Sequence, residues 1–463
     1  MNSLSQEIAE FVVEMRFEDL PEAVVHEAKR SFLDAIGCAI AGIATEKGKI
    51  SVALARRLGG PSESSIIGMG DKVSCCNAAF ANGELINALD YDALPHVQPF
   101  VIPPALAAAE SAKASGRDLI LAIVLAEEIS KRLSMALRGT MIQKLMKDLE
   151  TPAVWGNGHH CIFGAAAGAG KILRLDRQKM THALGIAGYL APVPYCGKWD
   201  RIAPKPIIKY APIGWICSSA VNAVLIADMG YTGDPTVFDG DYGFWRFYSS
   251  ESWNPDLVMD QLGKKWLFTD ILYKFYPCCS FFCTQLDCFR SIIDKNNLVP
   301  EEIESVNVLS APFFASPNPM EVTNQVDAQF SPPYVIAVAA HRVKVGRDWQ
   351  DFDTIRDKSI LGFMKKVNFQ VHPGVADAKR KDPRSWLAKV EVMAKGKVFT
   401  EERMYPKGTN GTDFKATDEE LVEKFRGNAS GLLTQDKIDR VIRSLLDLER
   451  VENISEITEQ FTL

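Results

Sequence analysis

Two carboxylates and an imidazole lie within seven residues of the chain, in the stretch Asp90-Tyr91-Asp92-Ala93-Leu94-Pro95-His96. This stretch separates two alanine-rich apolar segments, residues 78–89 and 105–114. Acidic and imidazole groups between buried helices are costly to desolvate unless they are paired or used in a reaction. The stretch is therefore a candidate site for proton transfer, and the alternative is a solvated loop with incidental charges.

Length and composition indicate an ordinary globular protein rather than a nucleic-acid or membrane binder. The chain has 463 residues, 47% hydrophobic and 24% charged, with a formal net charge of -6. Its length predicts two domains. No basic block is present, no apolar run approaches a membrane span, and residues 1–10 do not read as a secretory signal. We expect a cytoplasmic protein whose ten cysteines are reduced thiols.

Helical periodicity dominates from residue 4 to about residue 266. One helix begins at Pro21-Glu22, carries apolar residues close to a 3.6-residue repeat, and is expected to end at Gly42. Many of the helices are rich in alanine and glycine, which predicts close packing in a multi-helix core. Further helices are predicted at 49–58, 76–89, 104–115, 117–136, 162–173, 178–190 and 212–229.

The pattern changes after residue 265. A strand is predicted at 303–310, and a hairpin at 388–393 and 397–401 around Ala394-Lys395-Gly396. Helices are predicted at 281–295, 331–342 and 356–368, and helix returns at 417–426 and 437–449. We predict a mainly α protein in which residues 1–266 and 404–463 form a large helical domain. Residues 267–403 form a smaller α+β lid domain inserted before the C-terminal helices.

Other stretches resemble binding motifs but lack the residues that such motifs need. The segment from Gly164 to Lys171 looks like a phosphate-binding loop, but Ile172 stands where a serine or threonine should bind magnesium. A tightly packed small-residue helix is the better interpretation. Neither His159-His160-Cys161 nor the run from Cys278 to Cys283 has the ligand spacing of a zinc site, so no metal is expected.

Taken together, several stretches resemble the MmgE/PrpD family, which includes 2-methylcitrate dehydratase, cis-aconitate decarboxylase and iminodisuccinate epimerase. The resemblance covers nearly the whole chain; each stretch is weak alone, and their order and spacing make the signal. It implies a helical domain from both chain ends with an α+β lid between them. The stretches are Ala28 to Gly42, Asn82 to Asp92, Ile208 to Gly214 with Gly230 to Gly233, Lys274 to Cys278, Phe330 to Tyr334, Tyr405 to Gly408 and Glu423 to Arg426.

Carried over residue by residue, the resemblance places Asp90, His96, Lys209 and Tyr334 in the active site. Family members act beside carboxylates on small di- and tricarboxylic acids, by dehydration, decarboxylation or epimerisation. Such reactions need a proton-transfer group and cations that hold carboxylates. We expect His96 to transfer protons with Asp90 positioning or balancing it, Lys209 to pair with a substrate carboxylate, and Tyr334 to bring a hydroxyl from the lid. This chemistry requires neither a metal nor an organic cofactor.

The sequence also departs from the family pattern. Ala93 and Leu94 stand where the family has a further aspartate and a threonine, and Trp155 stands where it has a second histidine. In the lid, Cys279 and Cys283 align with family histidines. We expect substrate contacts from a secondary set of residues that lie on or near these departures: His159, His160, Lys274, Cys279, Trp155 and Leu94.

The departures make the predicted catalytic wall more apolar, with Leu94, Trp155, Phe281 and Phe282 near it. We therefore expect a lyase that acts on a di- or tricarboxylic acid, with dehydration of an alkyl-substituted, citrate-like acid first. Decarboxylation and epimerisation stay open, as does a catalytically inactive relative that binds a ligand. The resemblance also implies a homodimer.

Overall fold

The computed structural model of the protein describes residues 2–137, 158–248, 253–311 and 321–463. Helices of eight or more residues are numbered here in chain order. Before residue 266 they are α1 Leu4–Glu14, α2 Glu22–Gly42, α3 Glu46–Leu58, α4 Cys75–Asn87, α5 Gln98–Ser111, α6 Gly116–Leu137, α7 Cys161–Ile172, α8 Arg177–Leu190 and α9 Ile213–Asp228. Shorter helices in this part are Cys196–Trp199, Phe244–Phe247 and Asp256–Met259, and two short strands, β1 Ser64–Ser65 and β2 Lys72–Val73, pair antiparallel.

Small residues let these helices pack closely around one apolar core. A Cβ atom on Gly42, at the end of α2, would overlap the carbonyl oxygen of Leu85 in α4. On α7, a Cβ at Gly164 would overlap the carbonyl oxygen of Ala126 in α6. Because Gly164 to Lys171 lies inside a continuous buried helix, the prediction of a packed helix rather than a phosphate-binding loop is confirmed.

The lid is a four-stranded sheet covered by helices. Its strands are β3 Ile303–Ser310, β4 Val367–Val371, β5 Ala388–Ala394 and β6 Lys397–Arg403, in the order β4-β3-β5-β6. The numbered helices are α10 Cys283–Lys295 and α11 Pro332–Ala340. Shorter helices are Gln325–Phe330, Phe352–Arg356, Lys358–Phe363 and Val375–Lys381.

The hairpin between β5 and β6 has the predicted turn, in which Lys395 and Gly396 both have positive φ, at 55° and 69°. The helix predicted over 356–368 is wrong at its end. Its last residues leave the helix and begin β4, where Val367 pairs in parallel with Val306 of β3. Pairing with a distant strand thus overrides the local pattern.

The chain returns to the helical domain through α12 Asp418–Ala429, α13 Gln435–Leu446 and the short helix Ser455–Thr458. Lys424 of α12 donates from Nζ to Asp34 of α2 at 2.6 Å and to the carbonyl oxygen of Tyr91 at 2.8 Å. The two ends of the chain therefore hold the loop between α4 and α5. The mainly α fold with a smaller α+β part is confirmed, and the domain boundaries stay a prediction. Within the described ranges, no helix combines the length and the apolar character needed to cross a bilayer.

Candidate active site

Asp90 lies between two lysines that reach it from distant parts of the chain. Lys209 donates from Nζ to Asp90 Oδ1 at 2.6 Å and also to the carbonyl oxygen of Asn87 at 2.9 Å. Lys274 donates to Asp90 Oδ2 at 2.9 Å and to the carbonyl oxygen of Cys278 at 3.1 Å. The side chains of all three charged residues are at most 1% exposed. The three form a buried, hydrogen-bonded ionic cluster.

Three residues of the cluster and its loop have a left-handed backbone conformation. Asp90, His96 and Lys209 have φ of 55°, 51° and 60°, in the left-handed region that residues other than glycine rarely adopt. Each such residue costs on the order of 1 kcal/mol or more, and strain of this kind is typical of functional sites. Asp90 follows the end of α4 and His96 precedes α5, so both helices deliver their side chains to one point.

The electrostatics of the cluster follow from burial and pairing. Burial opposes ionisation of Asp90 most strongly, but Lys209 and Lys274 together hold its pKa well below the usual range. Burial lowers the pKa of Lys209 to about 8 against the pull of Asp90, and the charge of Lys47 adds to the lowering. Burial also disfavours charged Lys274, but Asp90 and Asp92 outweigh it and raise its pKa. Lys274 is therefore firmly charged, whereas Lys209 loses its proton more easily.

His96 is bonded to Asp92, not to Asp90. The distance from His96 Nδ1 to Asp92 Oδ2 is 2.6 Å, and the imidazole also packs at 5.4 Å from the ring of Tyr210. The expectation that Asp90 positions His96 is corrected here: Asp90 adds only a nearby charge. The signal in the sequence was the four-residue separation of Asp92 and His96, which a tight loop closes into a pair.

Residues that the sequence reasoning missed connect the two carboxylates. Asn87 donates from Nδ2 to Asp92 Oδ1 at 3.0 Å and to the hydroxyl of Tyr210 at 2.6 Å. That hydroxyl in turn lies 3.2 Å from Asp90 Oδ1. One hydrogen-bonded network thus runs from His96 to Lys209.

Aromatic rings cover one side of this network. Trp199 packs edge-on against Phe330 and Tyr210, with centroid distances of 4.9 Å and 5.9 Å. Lys209 Nζ lies 5.7 Å from the centroid of the Phe330 ring. Trp199 and Phe330 therefore give the described part of the site an apolar wall.

The lid is fastened over the loop by two glutamines. Gln329 donates from Nε2 to the carbonyl oxygen of Ala88 at 2.8 Å. Gln350 donates to the carbonyl oxygens of Leu89 at 2.9 Å and Pro277 at 2.7 Å. These bonds join residues more than 200 positions apart at Ala88 and Leu89, which no local pattern indicates.

The structure does not bring Tyr334 to the cluster. Its buried hydroxyl donates to the carbonyl oxygen of Trp349 at 2.7 Å, inside the apolar core of the lid. Lys274, by contrast, lies at the centre, although it was expected only as a substrate contact. Cys279 is close enough to feel the charge of Asp90, and burial raises the pKa of its thiol to about 12, which disfavours a thiolate.

The structure describes the neighbours of most of the remaining expected substrate contacts. His159 and His160 precede α7 and pack against Tyr248, with ring centroids at 6.0 Å and 5.7 Å. Leu94 forms an isolated antiparallel bridge with Leu272, the neighbour of Tyr273 and Lys274. Trp155 lies outside the described residues. Phe281 packs on Trp386 at 4.6 Å, and Phe282 is buried in the lid core.

A cleft of about 670 Å³ opens elsewhere, between α2 and the segment that leads into α12. It is lined by charges that already neutralise one another, such as Arg30, which pairs with Asp418 and Glu27. Neither Asp90 nor His96 lines it. The buried cluster is therefore a candidate active site because of its chemistry, not because of the size of a cavity.

A mainly α fold with a smaller α+β part, built around a buried cluster of lysines, carboxylates and an imidazole, is thus the class of protein that these observations define. The chain belongs to the MmgE/PrpD family. Residues 6–256 match the MmgE/PrpD N-terminal domain, and residues 276–448 match the MmgE/PrpD C-terminal domain.

Several relatives are similar along most or much of their length. The chain is 26% identical over 476 residues to the cis-aconitate decarboxylase of Homo sapiens, with 99% of this chain and 94% of that protein covered. It is 24% identical over 488 residues to the cis-aconitate decarboxylase-like protein oryM of Aspergillus oryzae, covering 98% and 96%. It is 27% identical over 328 residues to the cis-aconitate decarboxylase of Aspergillus terreus, covering 66% and 63%.

Proposed function

We propose that the protein is a lyase that acts on a tricarboxylic acid of the cis-aconitate type, by proton transfer next to a carboxylate. The observation that carries this proposal is the pairing of His96 with Asp92 beside the cluster of Asp90, Lys209 and Lys274. An imidazole that is paired with a carboxylate beside cations in a buried site suits such a reaction, and this supports the proposal. The names of the similar proteins favour decarboxylation over the dehydration expected from the sequence.

The charges of the cluster favour an anionic substrate. The positive charges of the two lysines balance the negative charges of Asp90 and Asp92. With His96 protonated, the site therefore has one net positive charge. A lysine ammonium has three N–H groups, and Lys209 and Lys274 each use two of them on described acceptors. Among the described residues, the third N–H of each lysine has no acceptor, and we assign it to a carboxylate oxygen of the substrate.

The proposed step is proton transfer coupled to loss of carbon dioxide. In cis-aconitate, one carboxylate is carried by a CH₂ group next to the carbon–carbon double bond. Cleavage of the bond to that carboxylate releases CO₂, and its electron pair forms a new double bond. The electron pair of the old double bond takes a proton at its far carbon. The imidazolium of His96 supplies this proton, and the charge of Asp92 stabilises the imidazolium beforehand.

The second candidate is dehydration of an alkyl-substituted, citrate-like hydroxy acid on the same residues. It is favoured by the apolar wall of Trp199 and Phe330 beside Lys209, which would accommodate an alkyl group. In that reaction His96 would exchange a proton with the substrate as a hydroxyl group leaves. Both reactions are lyase reactions, but decarboxylation releases CO₂ and dehydration releases water.

Turnover of a matched substrate panel separates these reactions from a relative that only binds its ligand. Purified protein is incubated in deuterated water with cis-aconitate, citrate, 2-methylcitrate and longer alkylcitrates, and products and C–H exchange are followed by NMR. Decarboxylation predicts deuterium in the product of cis-aconitate and release of CO₂. Faster loss of water from alkylcitrates would favour dehydration. Binding of the panel without exchange or turnover would overturn both.

The sequence-based expectations of a homodimer and of a cytoplasmic location also stand as proposals. Light scattering on the purified protein tests the first, and a mass of one chain at micromolar concentration would contradict it. Fractionation of the native cells tests the second.

A further inference from the structure

We propose that Asp92 is the positioning residue of His96, and that it fixes which ring nitrogen faces the substrate. The proposal rests on the proposed function for its catalytic meaning, but its geometry can be tested without turnover. Asp92 is completely buried, and its Oδ2 lies 2.6 Å from Nδ1 of His96. Because an ionised carboxylate only accepts hydrogen bonds, Nδ1 carries a proton in this pair. Neutral His96 then has its lone pair on Nε2.

The second nitrogen of His96 is available for the reaction. In the part of the chain that the structure describes, no hydrogen bond reaches Nε2 of His96, and the side chain is 9% exposed. A histidine with one nitrogen anchored to a carboxylate is suited to exchange protons at the other nitrogen. Nε2 is therefore the atom that we assign to proton transfer.

Asp92 is itself held in place by its other oxygen. Asn87 donates from Nδ2 to Asp92 Oδ1 and to the hydroxyl of Tyr210, which then donates to Asp90. The direction of every bond in this chain is fixed. If the Asn87 amide were flipped, its oxygen would face the Asp92 carboxylate and both would be acceptors. The position of His96 is thus tied, through Asp92 and Asn87, to the carboxylate that binds both lysines.

Electrostatics keep Asp92 charged. Burial opposes its ionisation most, but His96 and, more weakly, Lys274 hold its pKa below the usual value against the repulsion of Asp90. The charge of Asp92 also acts on Lys209 and on Asp34 of α2, and Asp34 is paired with Lys424. Removing the charge of Asp92 therefore removes the anion that is hydrogen-bonded to Nδ1 of His96.

A purely structural role for Asp92, in which it only braces the loop, predicts different results. Such a role would lower stability without selecting a ring nitrogen of His96. Asp34→Asn provides the control, because it also neutralises a buried aspartate that pairs with a neighbouring group, Lys424, but does not contact His96.

The first experiment is NMR of the full chain labelled with ¹⁵N-histidine. In a pH titration of the unaltered protein, we expect a pyrrole-type Nδ1 with a strongly deshielded proton for His96 throughout, and a pyridine-type Nε2 in the neutral form of the ring. The signals are assigned by their loss in His96→Gln. The signals of His341, whose ring is bonded to Ala337 and Ser359, serve as an internal reference. A proton on Nε2 with a pyridine-type Nδ1 would overturn the proposal, and this measurement needs no variant of Asp92.

The second experiment compares variants. Asp92→Asn is expected to abolish the deshielded signal and lower kcat about 100-fold, which is typical for loss of a general acid or base in the correct form. The alkaline limb of the pH profile of its residual activity is expected to move to lower pH by about one unit, because a charge-assisted hydrogen bond is lost. Asp92→Glu is expected to recover part of both effects. An Asp92→Asn protein that retains the His96 signal and the normal pH profile would contradict the proposal. If the signal changes as expected while no panel substrate is turned over, the proposed function fails and the positioning role survives.

Discussion

Replacing Asp90 by asparagine should destabilise the protein more than any exposed charge replacement. Asparagine has nearly the size of aspartate and tolerates a φ of 55°, so the backbone is not the cause. What changes is the charge that compensates Lys209 and Lys274. One carboxylate oxygen also becomes an NH₂ group, which faces an ammonium group as a second donor.

The magnitude follows from the two buried pairs. Leaving a buried charge without its partner costs about 3–5 kcal/mol, and here two ammonium groups share one partner. The costs do not add fully, because Lys209, with a pKa of about 8, can release its proton and become neutral. We expect Asp90→Asn to lower the free energy of unfolding by about 3–5 kcal/mol at pH 7.

Chemical denaturation at pH 7 and pH 9 measures this effect. The folded-state pKa of Lys209 lies below its unfolded value of 10.5, so between the two the unfolded chain binds more protons and stability from this group rises with pH. Without Asp90 that pKa falls further, so the deficit of Asp90→Asn should shrink from pH 7 to pH 9. The control is Asp228→Asn, whose partner Lys179 lies on the surface and whose effect should stay below about 1 kcal/mol. A loss no larger than the control, or one that grows with pH, would refute the reasoning.

Three further predictions concern the surroundings of the site. Burial raises the pKa of Glu127 from 4.5 to about 7, so the stability that this group contributes is complete below pH 4.5 and is lost as the pH rises to 7. From pH 4.5 to 8, the free energy of unfolding of Glu127→Gln should therefore rise by about 3 kcal/mol relative to that of the unaltered protein, as measured by chemical denaturation. A difference that stays constant with pH would contradict this. Gly408 has a φ of 96°, and a Cβ atom there would overlap the carbonyl oxygen of Tyr273. In the same assay, Gly408→Ala should therefore lower the free energy of unfolding by about 1–3 kcal/mol or more. Gly362→Ala, where a Cβ would meet open space, should not lower it. Gln350→Ala leaves two buried carbonyl oxygens without their donor and should lower the free energy of unfolding by about 2 kcal/mol. Amide hydrogen exchange in the lid should become faster, and unchanged exchange would contradict the role of Gln350 in holding the lid.

Periodicity was sufficient for most of the helices because each buries a regular apolar stripe. The helix α2 runs from Glu22 to Gly42 as its pattern predicts, and β3 covers 303–310 as expected. The end of the predicted helix at 356–368 failed because Val367 gains a ladder with β3, a contact across 61 positions that local sequence does not encode. Where a distant partner decides the conformation, local pattern is not enough.

In the site, too, some features could be predicted from the sequence and others depend on contacts between distant residues. Asp90, His96 and Lys209 were identified from their types and their places in an ordered resemblance, and the structure brings them together. The partners of each were not identified, because they depend on directions of side chains: Asp92 reaches His96, and Tyr334 points into the lid core. Asp90 and Asp92 lie two positions apart in one loop but have different partners, and only the three-dimensional structure distinguishes them.

The most direct test of the account is turnover of cis-aconitate by the unaltered protein and by His96→Gln, with His341→Gln as the matched control outside the site. Release of CO₂ and solvent-derived deuterium in the product are measured together. The account predicts turnover that falls by about 100-fold or more in His96→Gln and is unchanged in His341→Gln. Turnover that survives in His96→Gln, or a protein that binds cis-aconitate but never releases CO₂, would contradict it.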